Sequence, residues 1–276
     1  FIESIRLNYS ETEKVNSIGE IRNGIIREGL KEIYGETDSY NPPHLYIATI
    51  SDLRSESGLG SSSAFACSFV QALNVFQHGY ALNADEIFYK AKYIEIERLS
   101  KPIGIQDQFA SAYGGLRSNY ISPNGDVETQ RIQLSTKQKE SFNNCMFIVD
   151  SLIGRKADEI TARYSDPDEN QHEILNKLAT KSREFAETIP QVEPHEIAFK
   201  VGEALNISQE LKEKLHPSVM TQELRNLRQF LLDSGSTGAK LCGAGAGGYF
   251  FVSVDTNKVE KFTHQLLNNS IKYEKV

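Results

Sequence analysis

Five residues in the run "SGLGSSSAF" combine bare backbone with dense hydroxyls: Gly58, Gly60, Ser61, Ser62 and Ser63. The glycines have no Cβ, so the chain can turn sharply there and a ligand can approach its amides. The serines open a stretch in which Phe65, Phe69, Leu73 and Phe76 recur at helical spacing, with Gly79 as a plausible stop. The first N–H groups of a helix lack intrahelical partners, and with the helix dipole they form an anion site. Serine hydroxyls add donors to phosphate oxygens and can ligate Mg²⁺, so a polyphosphate would suit this place. The competing reading is an ordinary glycine turn with a serine N-cap. The run is not a Walker A loop, because no Gly-Lys-Ser/Thr follows, and it lacks the third glycine of a dinucleotide fingerprint.

Two carboxylates follow at positions where they could do chemistry. On a helix, Phe88, Ala91, Glu95 and Leu99 share one stripe, which sets Glu95 in an apolar face. A buried carboxylate costs several kcal/mol unless it is paired or bound to a metal, so Glu95 is expected either to ligate a cation or to pair with a nearby Arg or Lys. Glu97 shares its side with Lys90, Tyr93 and Lys101 and is expected in solvent. Asp107, in "GIQDQFASAYGG", falls in the first turn of a short helix. The dipole there would keep it ionised, which suits a base that takes a hydroxyl proton; a simple capping role is the alternative.

A second glycine cluster, "STGAKLCGAGAGGYFFVSV", holds Gly238, Gly243, Gly245, Gly247 and Gly248 directly before an apolar strand. Five glycines in eleven residues exceed what a tight turn requires, and such thin backbone lets another chain segment or a ligand come close.

The elements that must carry these residues alternate between α and β throughout. His44–Leu53 reads as a strand, Asn83 and Glu86 as a capping pair for a helix through about Leu99, and Tyr120–Leu134 as a hairpin around Pro123–Asp126. Met146–Ile153 is a further strand, Asp158–Leu232 is mostly helical with breaks at Pro190, Pro194 and Pro217, and the chain ends strand, helix, strand. A domain boundary is expected near Phe142, giving 1–141 and 142–276. The 276 residues are 39% hydrophobic and 24% charged, which fits a globular protein with a real core. No run of about 18 apolar residues predicts a membrane span, and no basic-then-apolar opening predicts a signal peptide. Three distant cysteines, Cys67, Cys145 and Cys242, read as reduced thiols of a cytoplasmic protein. The net charge of −7 argues against a nucleic-acid surface.

In this order, "SGLGSSSAF", "GIQDQFASAYGG" and "KLCGAGAGG" resemble the motifs of the GHMP kinases, a family that includes galactokinase, homoserine kinase and mevalonate kinase. The likeness runs from about His44 to the end. It is nearest to the branch that phosphorylates the anomeric hydroxyl of a heptose 7-phosphate on the route to activated heptose for surface polysaccharide. The resemblance implies a two-domain α+β fold, with a ribosomal-protein-S5-like N-terminal domain and a ferredoxin-like C-terminal domain. It implies ATP and Mg²⁺, with Ser62 and Glu95 as Mg²⁺ ligands and Asp107 as the catalytic base. Gly58, Gly60, Ser61, Ser62 and Ser63 would surround the ATP phosphates, and Gly243, Gly245 and Gly247 would close the site from the other domain. Arg155 and Lys156, in "LIGRKADEI", resemble the family's basic pair and would meet the sugar phosphate. A solvated pair at a strand end is the competing reading.

The implied partner is a small sugar phosphate, with neither nucleic acid nor membrane, and a homodimer is compatible with the family. The family's N-terminal strand with a Pro-x-Arg-like motif and a glycine-rich turn would lie upstream of Phe1. Ile105 stands where a lysine is expected, and Ala246 where a glycine is common. Other readings are a fucose- or galactose-type kinase, or a non-catalytic protein that keeps the fold and binds ligand.

Overall fold

The computed structural model describes residues 5–35, 44–53, 57–122, 124, 126–154 and 168–276. Its contacts divide the chain into two compact units, one of 1–55 with 60–114 and one of 56–59 with 115–276. The division at Gly114–Gly115 therefore precedes the boundary expected near Phe142. The reason is packing: Leu116, Ile132, Leu134 and Phe142 all lie against the cluster of Cys145, Met146, Ile197 and Val201, so the stretch from 115 onward belongs to the second core.

The first unit holds a three-stranded sheet of β1 (Ile5–Asn8), β2 (Thr12–Val15) and β3 (Leu45–Ala48), with β1 central, antiparallel to β2 and parallel to β3. Helix α1 (Gly24–Tyr34) starts on Asn23, whose side chain accepts from the Ile26 N–H. It packs closely on α2 (Ser61–His78): a Cβ on Gly29 would lie 2.6 Å from the Phe69 ring. Ile5, Leu7, Ile26, Leu30, Ala66, Phe69 and Ile94 form the buried centre. Helix α2 begins at Ser61, the first of the serines expected to open it, and stops at Gly79 in the left-handed conformation (φ 78°), as the sequence predicts.

Helix α3 (Ala84–Lys92) opens on the expected capping box, with Asn83 and Glu86 bonded reciprocally. It does not continue as an α-helix to Leu99. Tyr93–Arg98 forms a π-helical turn, and Ser100 then adopts a left-handed φ of 50°. Helix α4 (Gln106–Tyr113) packs on α3 through Phe88 and Phe109, whose rings meet edge-on at 5.2 Å. That contact fixes the first turn of α4 and with it Asp107.

The second unit contains the predicted hairpin, β4 (Arg117–Ile121) antiparallel to β5 (Val127–Arg131), then α5 (Thr136–Cys145). A four-stranded antiparallel sheet follows, built from β6 (Met146–Asp150), β7 (Ser236–Leu241), β8 (Tyr249–Val254) and β9 (Tyr273–Lys275) in the spatial order β7-β8-β6-β9. Between β6 and β7 run α6 (Glu169–Thr188), α7 (Ile197–Leu215) and α8 (Gln222–Asp233), broken near the predicted prolines; α9 (Val259–Asn268) joins β8 to β9. Strand, helices, strand, strand, helix, strand in this order is ferredoxin-like topology, as expected.

Both faces of this sheet are covered, which explains the unbroken apolar runs in β6 and β8. Phe147, Val149, Phe250 and Val252 face one core, while Met146 and Phe251 join the other. Strand β7 hides inside the glycine-rich segment and carries no strong strand signal of its own. Its Gly238 meets α7 so closely that a Cβ would stand 2.0 Å from the Gly202 carbonyl oxygen. Among the described residues no helix is long and apolar enough to cross a membrane.

Candidate active site

Helix α2 starts from Gly60 in the left-handed conformation (φ 72°, ψ 21°), and among the described residues no side chain caps its first amides. Gly58 is also left-handed, at φ 78°. The glycines thus supply the turn, and the opening N–H groups carry no side-chain acceptor among the described residues, an arrangement that suits an anion.

The serines meet Glu95. This carboxylate has no solvent exposure. Ser62 Oγ donates to its Oε1 at 2.6 Å and Ser63 Oγ to its Oε2 at 2.7 Å. Lys101 Nζ donates to Oε1 at 2.8 Å and to Ser62 Oγ at 2.7 Å. Gln108 Nε2 donates to Oε2 at 2.8 Å, leaving its own buried Oε1 without a hydrogen-bond partner. Burial would push Glu95 up, but the hydrogen bonds from Lys101, Ser62 and Ser63 and the Lys101 charge win and hold it below the usual carboxylate range. Of the two readings of Glu95, the structure shows the pairing with a lysine.

That lysine is the one expected on the solvated side with Glu97. Glu97 is exposed as predicted, but Lys101 turns the other way. The π-helical turn and the left-handed Ser100 break the helical phase on which the expectation rested. Lys101 and Gln108 are the two residues of the cluster to which sequence reasoning gave no role in it. Gln108 had a signal, its place in "QDQ" beside Asp107; Lys101 had none beyond its nearness to Glu95.

Asp107 lies in the first turn of α4, as predicted, and borders the phosphate-loop glycine: a Cβ on Gly60 would stand 3.1 Å from its Cγ. Solvent reaches the residue, yet protein crowds its carboxyl. Desolvation and then the charge of Glu95 raise it above the usual aspartate range. This direction runs against the ionising effect expected of the helix dipole. Nearby Cys67 is pushed up to about 11 by burial and by Glu95, which fits a reduced, unreactive thiol.

The second glycine cluster is the β7–β8 connection. A Cβ on Gly245 would meet Val219 at 2.5 Å, one on Gly247 the Ile153 carbonyl at 2.6 Å, and one on Gly248 the Ser57 carbonyl at 2.3 Å. Tyr249 N–H donates to Ser57 O at 3.1 Å, and Gly243 is left-handed at φ 62°. Ala246 is left-handed too (φ 60°), the conformation behind the expected glycine there. Arg155 and Lys156 lie outside the described residues.

The donor set suits Mg²⁺, which usually takes one or two carboxylates plus substrate phosphates rather than an all-protein cage. Ser62 Oγ and Glu95 Oε1 are hard oxygen donors that already share one cation, the Lys101 ammonium. Among the described residues no group of three or more His, Cys, Asp or Glu side chains forms a separate metal cage.

A glycine–serine helix start, a buried carboxylate on its hydroxyls and an aspartate beside its glycine thus come together on an α+β chain. Two family models match it: the GHMP kinases N terminal domain over residues 24–115 and the GHMP kinases C terminal domain over residues 198–272. The chain belongs to the GHMP kinase family. It is 25% identical over 247 residues to D-glycero-alpha-D-manno-heptose 7-phosphate kinase of Campylobacter jejuni, covering 89% of this chain and 69% of that protein. It is 27% identical over 212 residues to mevalonate kinase of Archaeoglobus fulgidus, covering 76% of this chain and 66% of that one. The solved D-glycero-D-manno-heptose 1-phosphate kinase from Bacteroides thetaiotaomicron shares the fold, with a TM-score of 0.73 at 17% identity over 99% of this chain and 79% of its own.

Proposed function

We propose that this chain is an ATP-dependent sugar kinase that phosphorylates the anomeric hydroxyl of D-glycero-D-manno-heptose 7-phosphate to the 1,7-bisphosphate. The observation that carries the reading is the convergence of Ser62, Ser63 and Glu95 at an uncapped helix start, with Asp107 against the same loop's glycine. A pure binding protein has no need of a base beside its phosphate loop. The heptose phosphate is favoured over other sugars by the motif likeness and by the relative that acts on it.

The ATP phosphates lie on the amides of Gly58 to Ser63. Ser62 and Glu95 would hold Mg²⁺, which would supply neutralisation of the charge that builds during transfer. Asp107 orients the sugar hydroxyl and takes its proton as the new O–P bond forms; ADP departs with the electrons of the broken bond. Arg155 and Lys156 meet the 7-phosphate, so Arg155→Ala is expected to raise KM for the sugar phosphate and spare that for ATP.

The test is ADP release by the full-length protein with MgATP across D-glycero-D-manno-heptose 7-phosphate, mannose, fucose, galactose and mevalonate. Selective turnover of the heptose phosphate supports the proposal. Turnover of another acceptor keeps the kinase and discards the substrate. Nucleotide binding without any turnover favours a non-catalytic ligand-binding role.

A further inference from the structure

Lys101 takes both oxygens assigned to the metal. Its ammonium stands 2.7 Å from Ser62 Oγ and 2.8 Å from Glu95 Oε1, and Ser62 Oγ is itself 2.6 Å from the same carboxylate oxygen. The three groups form a closed triangle. The backbone builds it deliberately: Ser100 reverses the chain, and Lys101 N–H donates to the Glu95 carbonyl at 3.1 Å. Pro102 then disfavours a helical conformation at Lys101, whose carbonyl accepts from Ile103 at 2.9 Å. Lys101 is thus tied to Glu95 through main chain and side chain together. Its side chain is 27% exposed, while that of Glu95 is 0% exposed.

An ammonium and a divalent ion compete for these oxygens. Lysine offers three donors and no acceptor, and Mg²⁺ about 2.1 Å from both oxygens on the face that Nζ occupies would lie against it. Mg²⁺ also sheds its water reluctantly, so one hydroxyl and one carboxylate already engaged by a lysine give free metal little reason to bind. A nucleotide changes the balance. Its phosphates bring ligands for the metal and anionic oxygens for the displaced ammonium.

We propose that Lys101 is a tethered placeholder cation: it keeps Ser62 and Glu95 in their ligating arrangement and yields them only to metal arriving with a polyphosphate. The inference rests on the assignment of Ser62 and Glu95 as metal ligands. It adds an order to the site's assembly, in which metal and nucleotide bind together and metal alone does not.

The experiment is a Mn²⁺ titration of the full-length protein by electron paramagnetic resonance, with and without a non-hydrolysable ATP analogue, on wild type, Lys101→Met and Lys101→Arg. Wild type and Lys101→Arg are expected to take up Mn²⁺ only with the analogue. Lys101→Met is expected to bind Mn²⁺ alone about tenfold or more tighter than wild type, because no charge-assisted hydrogen bond must break first. Without metal Lys101→Met should melt below wild type, and Mn²⁺ should raise its Tm by more than it raises that of wild type. Should Lys101→Met fail to fold, Lys101→Gln keeps a donor on Glu95 without the charge and carries the same expectation.

Equal Mn²⁺ affinities in wild type and the neutral variant, or tighter binding by wild type, overturn the placeholder role alone. Failure of wild type to take up Mn²⁺ even with the analogue overturns the metal-ligand assignment, and the inference with it.

Discussion

Glu95 and Asp107 are carboxylates of the same unit, and their surroundings push them in opposite directions. Glu95 is fully buried but receives hydrogen bonds from Ser62, Ser63, Lys101 and Gln108, so it stays ionised. Asp107 is open to solvent yet desolvated on the side of Gly60 and exposed to the Glu95 charge, so its proton affinity rises. Titrations diverging in this way accord with the proposed split into a cation holder and a base. If Asp107 is the base, the acid limb of the kcat/KM profile should lie above about 3.9, the ordinary aspartate value. Asp107→Asn should bind an ATP analogue as wild type does and lose about 10²–10⁴ in turnover. Calorimetric binding and a pH-rate series check both; near-wild-type turnover in the variant would remove Asp107 from that role. At this scale the motif residues were legible because their chemistry is local: glycine for a turn, serine at a helix start, a carboxylate in an apolar stripe. Lys101 was not, because its direction depends on one left-handed serine that no side-chain pattern announces.

The elements show why the two glycine runs differ. In the first, Gly60 serves conformation and clearance together, with a left-handed φ of 72° and Asp107 Cγ only 3.1 Å from where a Cβ would be. Gly60→Ala should cost about 1–2 kcal/mol for a left-handed alanine. It should also lower turnover about tenfold or more by shifting Asp107 from its position. Urea unfolding and single-turnover rates separate the two effects; a lowered Tm with unchanged turnover would leave Gly60 only the turn. In the second run the glycines clear backbone and side-chain neighbours at Val219, Ile153 and Ser57, and Gly238 clears α7. Ala246 is the exception, a left-handed residue carrying a methyl. Ala246→Gly relieves about 1–2 kcal/mol of strain and adds about 0.5–1 kcal/mol of chain entropy cost. A net gain of about 0–1.5 kcal/mol follows, a Tm rise of up to about 5 °C in a chain of this size. A fall in Tm would mean that the methyl packs usefully. The sequence revealed the helices and the β6 and β8 strands through their apolar periods. It hid β7, whose Gly238 packs by absence of a side chain, and the π-helical turn, which keeps the same residues at a slightly different phase.

At the scale of the whole molecule, acid should act unevenly. Glu13, Glu28 and Glu95 are buried carboxylates of the first unit. Burial alone would raise each, but hydrogen bonds hold all three below the usual range: Tyr9 and the Arg22 and Asn23 amides on Glu13, Arg27, Arg98 and Lys31 on Glu28, and Lys101 with two serines on Glu95. Glu28 also ties α1 to the π-helical turn, through Arg98 Nη2 at 2.7 Å. A carboxylate with a depressed folded-state pKa contributes stability that is complete above the ordinary glutamate value of about 4.3. That stability is lost as pH falls through the folded value, because the unfolded chain binds protons first. Asp107 has the opposite sign, gaining as it protonates, but its solvent exposure screens the effect. Melting temperature should therefore stay nearly flat from about pH 7 to 5 and drop by about 5 °C or more near pH 3.5. Pepsin at that pH should cut first between residues 5 and 114, while the β7-β8-β6-β9 sheet resists. Glu28→Gln, which cannot titrate, should start less stable and show a shallower acid dependence. First cuts within Ser236–Val254, or a Glu28→Gln melting curve parallel to wild type across the acid range, would show that these carboxylates do not govern acid stability.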